Sequence, residues 1–269
     1  MYKRQEWGEP VVFGDGEIQT FVALNTSGIP DLIGIYFTAG MMSGLPETPS
    51  DGAWDVTDED GDVLIPCCGH EVVLDFPESA EATPFKHFVL NWNPMGHMPP
   101  GIYDSPHFDM HFYLISNDER TAIPAATADT MCYVPNAPDS EDTHPVPVTC
   151  ETFEEAMMPL PETQMPANFF AGGAVEPAMG NHLADLNAPE FQGKPFTHTW
   201  IYGSYAGALT FFEPMIATSL LEERNDEVYA SIALPDEMPQ AGYYPSEYCI
   251  RYMADADAYA VTLESFVEF

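Results

Sequence analysis

Nine consecutive residues, Pro106-His107-Phe108-Asp109-Met110-His111-Phe112-Tyr113-Leu114, constrain this chain more than any other stretch. In a β-strand successive side chains point to opposite faces. Phe108, Met110, Phe112 and Leu114 then form one face, and His107, Asp109, His111 and Tyr113 the other. The stretch predicts a strand with an apolar back, suited to a core, and a front of metal-ligating or proton-transfer groups.

Strand geometry limits what that front can do. Residues two apart lie roughly 6.6 Å from one another, so both can reach one ion. Residues four apart lie about 13 Å from one another and cannot, unless the strand is bulged. His107, Asp109 and His111 therefore cannot all bind one metal directly. A pair is feasible, with the spare histidine bonded to Asp109 or to substrate. Alternatively, Asp109 accepts an N–H from each ring and orients both. Further ligands must come from distant segments, and His97, His182, His198 and Glu213 are the candidates, with Asp185 a weaker one. Glu213 sits between the apolar run Leu209–Phe212 and Pro214-Met215. A carboxylate so placed needs a cation or a hydrogen-bond partner, or its pKa rises. His70, His87 and His144 lack such company.

The chain has 269 residues, of which 45% are hydrophobic and 13% aromatic, enough for a sizeable core. Its formal charge is extreme, with 43 acids against 7 basic residues, net −36. Such a surface repels nucleic acid and anionic membranes, which recruit Lys and Arg. Acids spread along the whole chain suit a halophilic protein, because concentrated ions screen self-repulsion. The melting temperature is expected to rise between low salt and molar KCl, and a value that does not move would refute this adaptation. No apolar run approaches the roughly 18 residues of a membrane span. Five cysteines, odd in number and without a CxxC pair, predict buried reduced thiols rather than a disulfide framework or a zinc ribbon.

Residues 1–5, Met-Tyr-Lys-Arg-Gln, match the translated end of a transposon-based sequencing adaptor read from GTG. They are expected to be an assembly scar and are left out of fold reasoning. A cytoplasmic and an exported location are then both open.

The remaining 6–269 read as one domain. Strand-like runs fall at 17–24, 32–37, 71–76, 85–92, 196–203, 208–213, 228–234, 248–252 and 258–266, besides the opening stretch. Short helices are predicted after Ser116, over 151–158 and over 216–224, with one helical turn at 41–45. Residues 166–190 read as a long ordered loop. Asp58–Asp62 invites a calcium-loop reading. With Gly61 as the sixth loop residue, however, Val56 and Cys67 occupy positions that need carboxylates. An Asp-Gly turn of a hairpin explains the run instead. The fold class is α+β, mainly antiparallel β-sheet in an open or barrel-like form, with a few short helices and long Pro-rich loops. A short internal echo pairs Met95-Gly96-His97 with Met179-Gly180-Asn181-His182, each ahead of an aromatic strand holding a histidine. It outlines a pseudo-duplication of about 85–115 and 170–215. There is no nucleophile elbow, phosphate loop or Rossmann glycine pattern.

The run Asn91-Trp92-Asn93-Pro94-Met95-Gly96-His97, continued by Ile102-Tyr103-Asp104-Ser105-Pro106 and the opening strand, resembles an uncharacterised family of hypothetical proteins from bacteria and halophilic archaea. The resemblance continues through 40–46, 196–203 and Phe212-Glu213-Pro214-Met215. It implies a domain of unknown function, a homo-oligomer in some form, and export of some members. It supports treating the His, Asp and Glu positions as one site.

The expected protein binds a divalent transition metal, Zn, Fe or Mn, through some of His97, His107, Asp109, His111, His182, His198 and Glu213. As a mononuclear enzyme of hydrolase, lyase or oxygenase type, it would act on a small-molecule ligand with Glu213 and His111 as acid and base. The alternative is a non-enzymatic protein whose His/Asp cluster is a buried polar network holding the fold or an oligomer interface.

Overall fold

Alternating apolar residues need a surface to pack on, and two large antiparallel sheets provide it. The computed structural model describes residues 4–136 and 140–269. In chain order the first strands are β1 (Arg4–Trp7), β2 (Val11–Phe13), β3 (Gly16–Leu24) and β4 (Pro30–Thr38). A small hairpin follows, β5 (Val56–Thr57) and β6 (Val63–Ile65), closed by the Asp58–Asp62 turn. Next come β7 (His70–Asp75), β8 (His87–Asn93), β9 (His107–Tyr113) and the helix α1 (Asn117–Thr121). β10 (Met131–Pro135) and β11 (Thr143–Thr149) form a separate ribbon, followed by α2 (Cys150–Ala156). The chain then runs through β12 (Phe169–Glu176), β13 (Gly180–Asp185), β14 (His198–Tyr205), β15 (Ala208–Ala217) and α3 (Thr218–Glu222). It ends with β16 (Val228–Ser231), β17 (Tyr243–Met253) and β18 (Ala258–Glu268).

One seven-stranded sheet has the order β1-β3-β4-β18-β17-β16, with β2 beside β3; the other runs β12-β13-β14-β15-β9-β8-β7. Their inner faces share one core, in which Ile18, Ile35 and Phe37 of the first meet Phe88, Phe108 and Phe112 of the second. The Phe37 and Phe108 rings lie 6.5 Å apart across the interface. This is sheet-on-sheet packing, and neither sheet closes into a barrel. The mainly antiparallel β architecture with few short helices agrees with the sequence reading. Among the described residues no helix is long and apolar enough to cross a membrane.

Several local expectations are corrected. The loop expected over 166–190 is the hairpin β12–β13, disguised by Gly172-Gly173 where the register shifts between Ala171 and Val175. Ile216 belongs to β15, and the helix begins only at Thr218. The ribbon β10–β11 escapes a propensity reading because Pro145 and Pro147 lie in it, which a narrow two-stranded edge tolerates. Four of the cysteines are paired, Cys67 with Cys68 and Cys132 with Cys150, and only Cys249 is free. Cys132 is the second residue of β10 and Cys150 opens α2 just after β11, so it is the ribbon pairing that joins them. Arg4 and Gln5 lie in β1, opposite Leu24 and Ala23; residues 1–3 lie outside the described residues.

Ser116 caps α1 in the predicted manner: its hydroxyl accepts from the Glu119 N–H, and the Glu119 carboxylate accepts from the Ser116 N–H. The cap matters for the site because α1 carries Arg120. That side chain is buried against Glu71 of β7, with Nη2–Oε1 at 2.6 Å and Nη1–Oε2 at 3.0 Å, and lies over the Tyr113 ring.

Candidate metal centre

β9 lies between β8 and β15, so its front is flanked on both sides by other strands. Asp109 faces Asn91 of β8 and Met215 of β15, and Phe112 faces Phe212, which brings Glu213 alongside His111. His182 comes from further across. It lies opposite Gly203, which lies opposite Phe211. Glycine is required there, because a Cβ on residue 203 would overlap the Phe211 ring. With that space free, Phe211 packs between His182 and His111, 5.3 and 4.8 Å from their ring centres. The front of β9 is buried as well as its back. Tyr103, Met179, Phe196, Phe211 and Met215 form a second apolar cluster over it.

Six of the seven candidate ligands gather into two groups of three. In each group the candidate atoms lie within 4.8 Å of one another. The first is His97, His107 and Asp109. Asp109 Oδ2 is 3.2 Å from His97 Nε2, and Oδ1 is 3.2 Å from His107 Nε2. The second is His111, His182 and Glu213, with Glu213 Oε1 3.5 Å from His111 Nε2 and Oε2 4.0 Å from His182 Nε2. His107 and His111 thus fall in different groups, as strand spacing demands.

The protonation pattern decides what these contacts mean. His97 Nδ1 lies 2.7 Å from the Met98 carbonyl, His107 Nδ1 2.6 Å from that of Ser105, and His182 Nδ1 2.9 Å from that of Ala174. A carbonyl only accepts, so each Nδ1 carries the hydrogen. In the neutral ring Nε2 is then a lone pair, and on all three histidines it is aimed at a carboxylate oxygen. Two acceptors facing each other need a proton or a metal ion between them. Fixing Nδ1–H to a carbonyl while Nε2 stays free is the arrangement of metal-bound histidines. His107 Nε2, Asp109 Oδ1, both His111 nitrogens and Glu213 Oε2 are buried without a hydrogen-bond partner. Such atoms are costly to bury unless something satisfies them.

Electrostatics differ between the groups. Burial opposes ionisation of Asp109, but His107 and His97 hold its carboxyl well below the usual range. Burial also opposes charging of His97, yet Asp109 beside it raises its pKa to about 9. In the second group burial, and then the Asp109 charge, push Glu213 well above the usual carboxylate range. Burial lowers His111 to about 3 and His182 to about 4. His97 is 38% exposed and is the route to solvent; the side chains of His111 and Glu213 are each 1% exposed.

No protein-family model, curated protein or solved structure matches the chain. The chemistry of the site therefore rests on its own residues.

His198 lies apart from both groups. Its Nδ1 is 2.6 Å from the Tyr248 hydroxyl, and it lines a cleft with Trp200 and Tyr248 on the opposite face of the sheet. Asp185 also borders that cleft. The echo segments lie in one sheet, but β15 separates β9 from β14, and His111 and His198 point to opposite faces. Sequence reasoning missed Asn93, whose amide donates to Asp109 Oδ2 at 2.7 Å. It also missed Tyr103, whose hydroxyl donates to the buried Glu190 at 3.1 Å beside the first group. Asn93 carried a readable signal, since Asn91 and Asn93 alternate with the core residues Leu90 and Trp92 along β8.

Proposed function

We propose that the front of β9 is a divalent transition-metal centre of a metal-dependent enzyme, with His97, His107 and Asp109 as the ligands of the ion. The observation that carries this reading is the His107 Nε2 lone pair turned toward Asp109 Oδ1, both atoms buried without a hydrogen-bond partner, with His97 Nε2 converging on the same carboxylate. Two imidazoles and a carboxylate suit Zn, Fe or Mn. Three protein ligands leave a position for water or substrate. An ion of this class acidifies a bound water or polarises a substrate oxygen.

Glu213 and His111 then handle protons beside it. Burial pushes Glu213 toward its protonated form, in which it can donate, and keeps His111 neutral, so it can accept. Neighbouring groups whose pKa values are driven apart in this way suit acid and base roles. The Nε2 of His182, aimed at Glu213, favours a second reading in which the second group holds another ion. Elemental analysis of purified protein separates the readings. One equivalent of metal supports the mononuclear centre and two support the paired one. Protein that takes up no metal even when Zn, Fe and Mn are supplied leaves a buried polar network.

Metal affinity should depend on pH with a definite sign. His97 must lose its proton to become a ligand, and its pKa is about 9. Affinity should therefore rise about tenfold per pH unit from neutrality up to pH 9 and level off above, with one proton released per ion. Titration calorimetry in buffers of different ionisation enthalpy reads that proton. The metal-free protein should behave oppositely. A histidine whose folded pKa exceeds its ordinary value of 6.5 stabilises fully below 6.5, and the contribution is lost as pH rises through about 9. Its melting temperature should fall across that window.

A further inference from the structure

A third group of metal-binding atoms lies outside this centre. Cys67 and Cys68 stand just before β7, and Glu176 ends β12. Glu176 Oε2 is 3.0 Å from Cys67 Sγ and 3.9 Å from Cys68 Sγ. The two sulfurs and the carboxylate lie within 4.8 Å of one another. The pair is firmly placed. The Cys67 N–H donates to Asp55 Oδ1 at 2.9 Å, and the Cys68 carbonyl accepts from Asn91 Nδ2 at 2.7 Å. Cys68 and Gly69 both adopt left-handed backbone conformations, with φ of 69° and 65°. For a residue with a side chain that conformation is uncommon and costs energy. Here it belongs to the turn that brings both sulfurs to Glu176.

The two cysteines are joined as a disulfide between neighbours. A disulfide sulfur carries no hydrogen, so an ionised Glu176 faces two sulfurs that donate nothing. Burial raises the Glu176 pKa to about 7, in keeping with that poverty of partners. Reduction supplies what is missing. An external dithiol gives two electrons and two protons and is itself oxidised to a disulfide. The Cys67–Cys68 bond breaks, and each sulfur becomes a thiol able to donate to Oε2. Loss of both thiol protons leaves two thiolates and a carboxylate converging on one point.

We propose that Cys67, Cys68 and Glu176 form a reducible site that binds one thiophilic divalent cation only in its dithiol state. Two thiolates select a softer cation than the His and carboxylate groups of β9 do. The site has ligands of its own and is tested separately from the proposed centre on β9, although the Glu176 and His97 charges act on one another.

The test uses the intact protein, reduced with excess dithiothreitol, freed of reductant without air, and titrated with Cd²⁺. The ultraviolet thiolate-to-cadmium charge-transfer band reports sulfur ligation alone, so ions taken up by histidines and carboxylates stay silent. One equivalent should produce the band in reduced protein and none in oxidised protein. Cys68→Ser should lose most of it, and Glu176→Gln should weaken affinity about tenfold or more, the range seen when groups supporting a metal site are removed. A trivalent arsenical added to the reduced wild type should be recovered on the peptide holding residues 67 and 68, which needs no variant to fold. Reduced protein without the band, a band that survives in Cys68→Ser, or an arsenical found only at Cys132 and Cys150 would overturn the proposal.

Discussion

Asp109→Asn should leave the chain folded and strip it of metal. Asp109 is the one residue that touches every member of the first group: Oδ1 faces His107, and Oδ2 faces both His97 and the Asn93 amide. Asparagine keeps the shape and removes the charge. The Nε2 lone pairs of His97 and His107 are then left without an anion to share a cation with them. Losing a residue that merely supports a metal ligand costs 10–100-fold in affinity. Losing the carboxylate itself should cost on the order of 100-fold or more by the same comparison. The two readouts are elemental analysis and the melting temperature. Wild-type content of metal in a folded Asp109→Asn protein would sink the assignment of this group. His198→Ala serves as the contrast. His198 lies on the other face with Tyr248, so its loss should leave the metal content unchanged.

The second large effect concerns stability. Arg120 is 1% exposed and Glu71 is 13% exposed at the side chain, and the two are joined by paired hydrogen bonds. Arg120 Nε also donates to Asn117 Oδ1 at 2.9 Å. Arg120→Met keeps much of the packing over Tyr113 and abandons Glu71. Removing one partner of a buried ion pair costs about 3–5 kcal/mol, because the other charge stays behind. Glu71 reaches some solvent, so the lower end is expected. At roughly 2–4 °C per kcal/mol for a chain of this size, the melting temperature should fall by about 10 °C. The double variant Glu71→Gln with Arg120→Met should recover part of the loss, since no charge is then stranded. A single variant that melts within about 2 °C of wild type would show that the pair contributes little.

Much of the candidate site was legible because strand parity is local. The pleat alone separates His107, Asp109 and His111 from Phe108, Met110 and Phe112, and the structure keeps the two sets on opposite faces. The same rule also held a warning about His198. It shares parity with Trp200 and Tyr202, both core residues, so the face it occupies was already implied. Glu213 shares parity with Phe211 and Met215, which lie on the site face, whereas Phe212 lies in the core. The β12–β13 hairpin was hidden for a local reason: two glycines at a bulge erase the alternation that marks a strand.

By itself the sequence determined which side chains each strand turns together, and therefore that a histidine-carboxylate face exists. It also determined the capped start of α1, since Ser116 and Glu119 need only their own turn of helix. Partners were another matter. His111 meets Glu213 because β15 inserts between β9 and β14, and Cys132 meets Cys150 because β10 pairs with β11. The division of six ligand candidates into two groups, and the placing of Glu176 against Cys67 and Cys68, depend on the same long-range pairing. Parity follows from sterics within a few residues. Strand order follows from the best burial of apolar faces by the whole chain, set against the entropy of closing long loops, and no local pattern encodes that balance.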